Sequence, residues 1–93
     1  MYVRITRGRF DPDRVEEVQS VTAEAANAIK GLPGFVAYQG GLDRQAGTLV
    51  AISTWEDAGS ANFSREQLGD VLTRIVAVAQ LEAPDIYEVV ITA

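Results

Sequence analysis

Apolar and polar residues alternate through Tyr2 to Arg9 (YVRITRGR), with β-branched side chains among them, which predicts a first strand. The period then changes. Val15, Val18, Thr22, Ala25, Ala26 and Ile29 follow the three-and-four spacing of one buried helical face. Asp11 offers the N-cap, Pro12 the first helical position, and Asp13, Glu16 and Glu17 lie where the positive end of a helix dipole favours them. Gly31 followed by Pro33 supplies the stop, and the run of alanines predicts close packing against a sheet. Phe35 to Leu42 (FVAYQGGL) reads as a second strand, and the polar DRQAG at 43 to 47 as a hairpin connection into a third, Thr48 to Trp55. AGSANFS after Asp57 predicts a short helical turn or loop. Ser64 with Gln67 then resembles a capping box opening a helix through about Gln80, its inner face carrying Leu68, Val71, Leu72, Ile75 and Val78. Pro84 ends that unit, and Ile86 to Thr92 (IYEVVIT) alternates again as a final strand.

The order strand, helix, strand, strand, helix, strand predicts an α+β fold: a ferredoxin-like βαββαβ sandwich with two helices over one face of a four-stranded antiparallel sheet. Strand three presents Leu49, Ala51, Ser53 and Trp55 on one face and Val50, Ile52 and Thr54 on the other, so both faces are largely apolar. In the last strand Val90 lies on one side and Tyr87, Val89 and Ile91 on the other. Two helices bury only one face of such a sheet. A bare second face would be a contiguous apolar patch of a kind soluble monomers rarely expose, so a homodimer with sheets packed face to face is expected.

Composition narrows the chemistry. The 93 residues suit a single domain, 1–93, and their 47% hydrophobic and 23% charged content is that of a globular chain. No apolar run approaches the ~20 residues that span a bilayer, and MYVRITRGRF lacks the form of a secretory signal, so a cytoplasmic protein without membrane association is expected. The net charge of −5, with Arg4, Arg7 and Arg9 split between the faces of one strand, argues against nucleic acid. Cysteine and histidine are both absent. That removes thiolate chemistry, disulfides, cysteine-bound zinc, the usual neutral-pH base and the usual haem ligand, so neither a metal nor another cofactor is expected.

GLPGFVAYQGGLD at 31 to 43, followed by GTLVAISTWED at 47 to 57, resembles the signature region of the antibiotic biosynthesis monooxygenase-like domains of the dimeric α/β-barrel group. In that group a helix ends at a P-G-F stretch, a hairpin follows, and the third strand ends in W-E. The resemblance implies a dimeric α/β barrel. It also points to Trp55 as a site residue, since relatives that oxidise polyketide phenols to quinones use the W-E tryptophan with an asparagine four residues earlier. Ala51 stands at that earlier position. The tyrosine those relatives carry after the tryptophan falls on Gly59, Ser60 or Ala61, and their helix arginine falls near Gly69, with Asn62, Arg65 and Arg74 close by. Haem-degrading relatives use an axial histidine, an asparagine near the Thr6 position and a second tryptophan near Ser64, and this chain has none of the three.

The resemblance places a cleft beside Trp55, for which Arg4, Thr6, Tyr38, Ala51, Ser53, Asn62, Phe63, Arg65 and Leu72 are the candidate lining residues. A cofactor-free oxygenase is chemically feasible here, because a deprotonated electron-rich phenol or quinol itself delivers an electron to dioxygen. The protein then orients the ring, excludes water and stabilises the phenolate. Trp55 would stack on such a ring or donate its indole N–H to it, with Arg4, Tyr38, Asn62 or Arg65 as polar contacts. A tryptophan at a strand end also serves as a core plug, and Glu56 and Asp57 suit a helix start better than acid–base work. Two readings stand: a monooxygenase of a small aromatic or quinol-like compound, or a non-catalytic dimeric module that binds a small apolar ligand or only stabilises its own assembly.

Overall fold

The computed structural model describes all residues from Met1 to Ala93. The elements are β1 (Tyr2–Phe10), α1 (Val15–Ile29), β2 (Phe35–Asp43), β3 (Thr48–Trp55), α2 (Ala58–Ala61), α3 (Asp70–Val78), β4 (Ala79–Leu81) and β5 (Asp85–Glu88), with 3-10 turns at Pro12–Arg14 and Arg65–Leu68. The sheet order is β2-β3-β1-β4, and β5 pairs with the same edge of β1 as β4 does. Every pairing is antiparallel. β4 lies along Gly8–Phe10 and β5 along Tyr2–Ile5, so together they form a fourth strand interrupted around Pro84. The result is the ferredoxin-like fold, with an open sheet.

Local chemistry explains most of the boundaries. The Asp11 carboxylate accepts the Asp13 N–H at 2.9 Å and starts the 3-10 turn that leads into α1. In the β2–β3 hairpin, Asp43 Oδ1 accepts the N–H groups of Gln45 and Ala46 at 3.1 and 2.9 Å, an Asx turn. Gly47 completes it at φ 71°, where an added Cβ would run into the Phe10 carbonyl oxygen. The Ser64/Gln67 capping box forms, yet it opens the short 3-10 turn rather than a continuous helix. Gly69, at φ 59°, breaks the chain between them, and α3 begins only at Asp70.

Two expected boundaries move for the same reason. The second long helix was expected to run to Gln80 but stops at Val78, because Ala79–Leu81 turn extended and pair with the edge of β1. A non-local ladder overrides the helical period there. The final strand was expected over Ile86–Thr92 and ends at Glu88: the Val89 N–H donates to the Met1 carbonyl at 2.9 Å, and no backbone bond continues the ladder beyond it. Val90 and Ile91 are 82% and 83% exposed.

The helix face of the sheet reads in rows across β2, β3 and β1. Phe35, Trp55 and Tyr2 form one end, followed by Tyr38–Ser53–Arg4, Gly40–Ala51–Thr6 and Leu42–Leu49–Gly8. Two clusters pack on it. Ile29, Trp55, Ala61 and Leu68 occupy one end, and Phe10, Val18 and Ala79 the other. Trp55 is completely buried, with Phe35 edge-on at 5.7 Å and Phe63 tilted at 5.2 Å. Its Nε1–H donates to Ser53 Oγ, two residues back on the same face, at 2.8 Å. The opposite face of the central strands carries Val3, Ile5, Val50, Ile52 and Thr54, each only half-buried.

Gly47→Ala should destabilise the fold by about 3 kcal/mol, through the left-handed backbone and the carbonyl clash together, as measured by urea denaturation. Ser53→Ala leaves the buried indole N–H without an acceptor and should cost about 1–3 kcal/mol in the same assay, with Trp55 emission as the readout.

Candidate functional site

Between the two clusters the middle row of the helix face, Gly40–Ala51–Thr6, carries almost no side-chain volume. Above it, α1 contributes Thr22 and Ala25, also small. The helices therefore bridge a gap. It holds an apolar cavity of about 80 Å³, lined also by Val18, Ile29, Tyr38, Leu42, Leu49, Phe63, Leu68, Ile75 and Leu81, with Arg65 among them. The cavity is partly open to solvent. The lining is mostly aliphatic and aromatic, and its polar groups are Thr6, Thr22, Arg65 and the Tyr38 hydroxyl.

Of the candidate residues, Thr6, Tyr38, Ala51, Phe63 and Arg65 meet in this cavity. Trp55, Ser53, Arg4 and Leu72 do not line it. Trp55 stands behind Phe63, satisfied by Ser53, and Leu72 packs against the Trp55 cluster. Asn62 is exposed at the C-terminal end of α2. Asp57 caps α2, accepting the Ser60 N–H at 2.7 Å, and that bond holds its carboxyl below the usual carboxylate range. Thr22, Ala25, Leu42, Leu49 and Leu81 were not among the candidates. The row of small residues at positions 6, 40 and 51 was the available signal for them, since it faces the alanine-rich side of α1.

Electrostatically the site is cationic. Arg4 is only 4% exposed, and its Nη1 donates to the carbonyls of Ala61 at 3.0 Å and Phe63 at 2.7 Å. Its guanidinium lies 3.9 Å over the Phe63 ring centroid, a cation–π contact. Burial first, and then the like charge of Arg65, hold the Arg4 pKa down to about 10, which leaves it charged at neutral pH. Arg65 donates through Nη2 to the Glu82 carbonyl, tying the 3-10 turn to the loop before β5. The Tyr38 hydroxyl has no partner within the protein, and burial pushes its pKa up, so it enters neutral-pH chemistry as a hydrogen-bond donor. No three His, Cys, Asp or Glu side chains come together as a metal site, and no helix is long and apolar enough to cross a membrane.

No curated protein matches the sequence. Among solved structures, the chain is similar to SnoaB, a cofactor-independent oxygenase from Streptomyces nogalater, at 23% identity and a TM-score of 0.77 over 98% of this chain and 94% of that one. HapK from Hahella chejuensis superposes with a TM-score of 0.79 at 16% identity, covering 100% and 96%. A conserved protein from Methanosarcina mazei Go1 gives 0.71 at 16% identity, covering 94% and 91%. At these identities the likeness is one of fold. The sequence itself carries the assignment: the model of the antibiotic biosynthesis monooxygenase family matches residues 1–68, from β1 through β3 to the Arg65–Leu68 turn, and the chain belongs to that family.

Proposed function

We propose that this protein is a cofactor-independent monooxygenase acting on a small aromatic or quinol-like compound, and that it works as a homodimer. The observation that carries the reading is the cavity: an apolar chamber at which the Arg65 guanidinium and the Tyr38 hydroxyl stand as hydrogen-bond donors, a composition that suits an aromatic ring bearing an oxyanion. Family membership and the fold shared with an oxygenase that needs no cofactor support it.

For an anthrone-like methylene the net change is CH2 + O2 → C=O + H2O. The carbon loses four electrons, dioxygen gains them, and its two atoms end in the new carbonyl and in water. The first electron leaves the deprotonated substrate itself. The protein's share is to stabilise that anion and keep water from it. Arg65 offsets the negative charge, Tyr38 donates its O–H to the substrate oxygen, and Phe63 with the aliphatic lining excludes water. About 80 Å³ is less than the roughly 150 Å³ of an apolar cavity that accepts benzene. A ring therefore enters only as the aliphatic lining gives way.

One observation favours the second reading, a non-catalytic dimeric module of the same fold. Trp55 is sealed in the core with its N–H already used by Ser53, and Ala51 offers no polar group beside it. In either reading a second copy covers Val3, Ile5, Val50 and Ile52, closing two open sheets into a barrel.

Dioxygen uptake over a panel of anthrones and dihydroquinones should exceed the rate in buffer alone for at least one compound, and Ala51→Leu, which fills the cavity floor, should abolish the excess. If Trp55→Phe retains full turnover, Trp55 has no part in the chemistry. If no compound is consumed faster than in buffer, the oxygenase reading fails. Light scattering at micromolar concentration should give twice the 10.0 kDa chain mass, and a 10.0 kDa species would contradict the dimer.

A further inference from the structure

Thirteen Asp and Glu residues outnumber eight Lys and Arg in this chain, so counter-ions for an arginine are plentiful. Three arginines use them: Arg7 pairs with Asp85 at 2.9 Å, Arg14 with Glu17 at 2.8 Å and Arg74 with Glu24 at 2.8 Å, all on the exposed surface. Arg65, which lines the cavity, and Arg4, behind Phe63, make no salt bridge, as is true also of the surface residues Arg9 and Arg44. Arg4, the one buried cation, bonds only to neutral backbone carbonyls, and Arg65 bonds only to the Glu82 carbonyl.

A buried charge without a counter-charge is costly. Capping the end of α2 explains the contact of Arg4 to Ala61, and tying down the chain just after it explains the contact to Phe63. Neither explains why a second guanidinium is brought up to the first. The charge of Arg65 adds to burial in lowering the proton affinity of Arg4. Phe63 joins them, with the Arg4 guanidinium stacked on its ring and Arg65 two residues further along, and Phe63 and Arg65 both line the cavity. Low-dielectric walls focus the field of both charges into that space. The Tyr38 hydroxyl, also at the cavity, lacks a protein partner.

We infer that Arg65, with Arg4 behind Phe63, forms an anion subsite at the wall of the apolar cavity, and that the natural ligand is a small apolar molecule bearing a carboxylate. Arg65 makes the direct contact, Arg4 supplies charge from behind Phe63, and the aliphatic lining takes the apolar body. The inference deepens the proposed function by naming the charge its ligand carries. It rests on that reading only as far as the cavity being a ligand site, and stands whether or not oxygen is consumed.

Benzoate and benzamide, alike in shape and different in charge, separate the charge from the apolar contribution. In NMR titrations at pH 7 and low salt, benzoate should bind at least tenfold more tightly than benzamide, with shifts centred on Thr6, Ala51 and Phe63. Arg65→Gln should bring the two affinities to within about twofold, chiefly by weakening benzoate, and Arg65→Lys should restore most of the preference. Ala51→Leu should weaken both ligands. Equal affinities in the wild type, or an undiminished preference in Arg65→Gln, would overturn the inference. So would inorganic phosphate displacing benzoate at equal concentration, since the apolar body would then contribute nothing. Because no arm of the experiment reads dioxygen, a benzoate preference without turnover removes the enzyme reading and leaves the subsite. Turnover of neutral quinols without any anion preference does the reverse.

Discussion

A sheet with two apolar faces and helices for only one of them is the constraint on which this molecule rests. β1 and β3 pair over their whole length, from Tyr2–Trp55 to Arg9–Thr48, and alternation sends Arg4, Thr6, Ala51, Ser53 and Trp55 toward the helices. The same alternation sends Val3, Ile5, Val50 and Ile52 away from them, where they stay half-exposed. A one-residue slip in this register would exchange the two sets and bring Arg7 and Arg9 into the core. The site and the bare face are therefore two sides of one pairing.

On the helix face, volume is distributed unevenly. Trp55, Phe35 and Phe63 fill one end, Phe10, Val18 and Leu49 fill the other, and Gly40–Ala51–Thr6 leave a gap between. An unfilled space of this size forgoes stability on the order of 2 kcal/mol, a sizeable fraction for a domain of 93 residues. Larger side chains at 51 or 25 would recover part of it. Trp55 belongs to the packed end. Its burial gives the cavity a rigid wall at Phe63, and the Ser53 hydroxyl makes that burial inexpensive for the indole N–H.

The fold was legible in the sequence because most of its signals are local. Asp11, the Asp43–Gly47 turn and the Ser64/Gln67 box each make the hydrogen bonds their residue types suggest, and the strand faces follow from a period of two. What the sequence hid was non-local. Nothing in the pattern of Ala79–Leu81 distinguishes a last helical turn from a short strand, since the deciding partner, Gly8–Phe10, lies seventy residues earlier. The pattern of Val89–Thr92 likewise suits a strand, but strand formation needs a neighbour and the ladder on β1 ends at Val89. The site was half legible. Thr6, Tyr38, Ala51, Phe63 and Arg65 meet as candidates, whereas the depth of Trp55 depends on Phe35 and Phe63 closing over it from separate elements.

Arg4 shows how one residue ties these levels together. Its place on the inward face of β1 follows from alternation alone, and there it meets the Ala61 carbonyl, which α2 leaves without a helical partner, and the Phe63 carbonyl just beyond the helix. By holding Ala61 and Phe63 it sets the position of the ring that walls the cavity and of the segment leading to Arg65. A neutral donor would satisfy those carbonyls at a lower desolvation cost, so the carbonyls alone do not account for a guanidinium here. The charge makes physical sense once something negative is to lie on the other side of Phe63. That is why the strut and the electrostatic character of the cavity are best treated as a single feature.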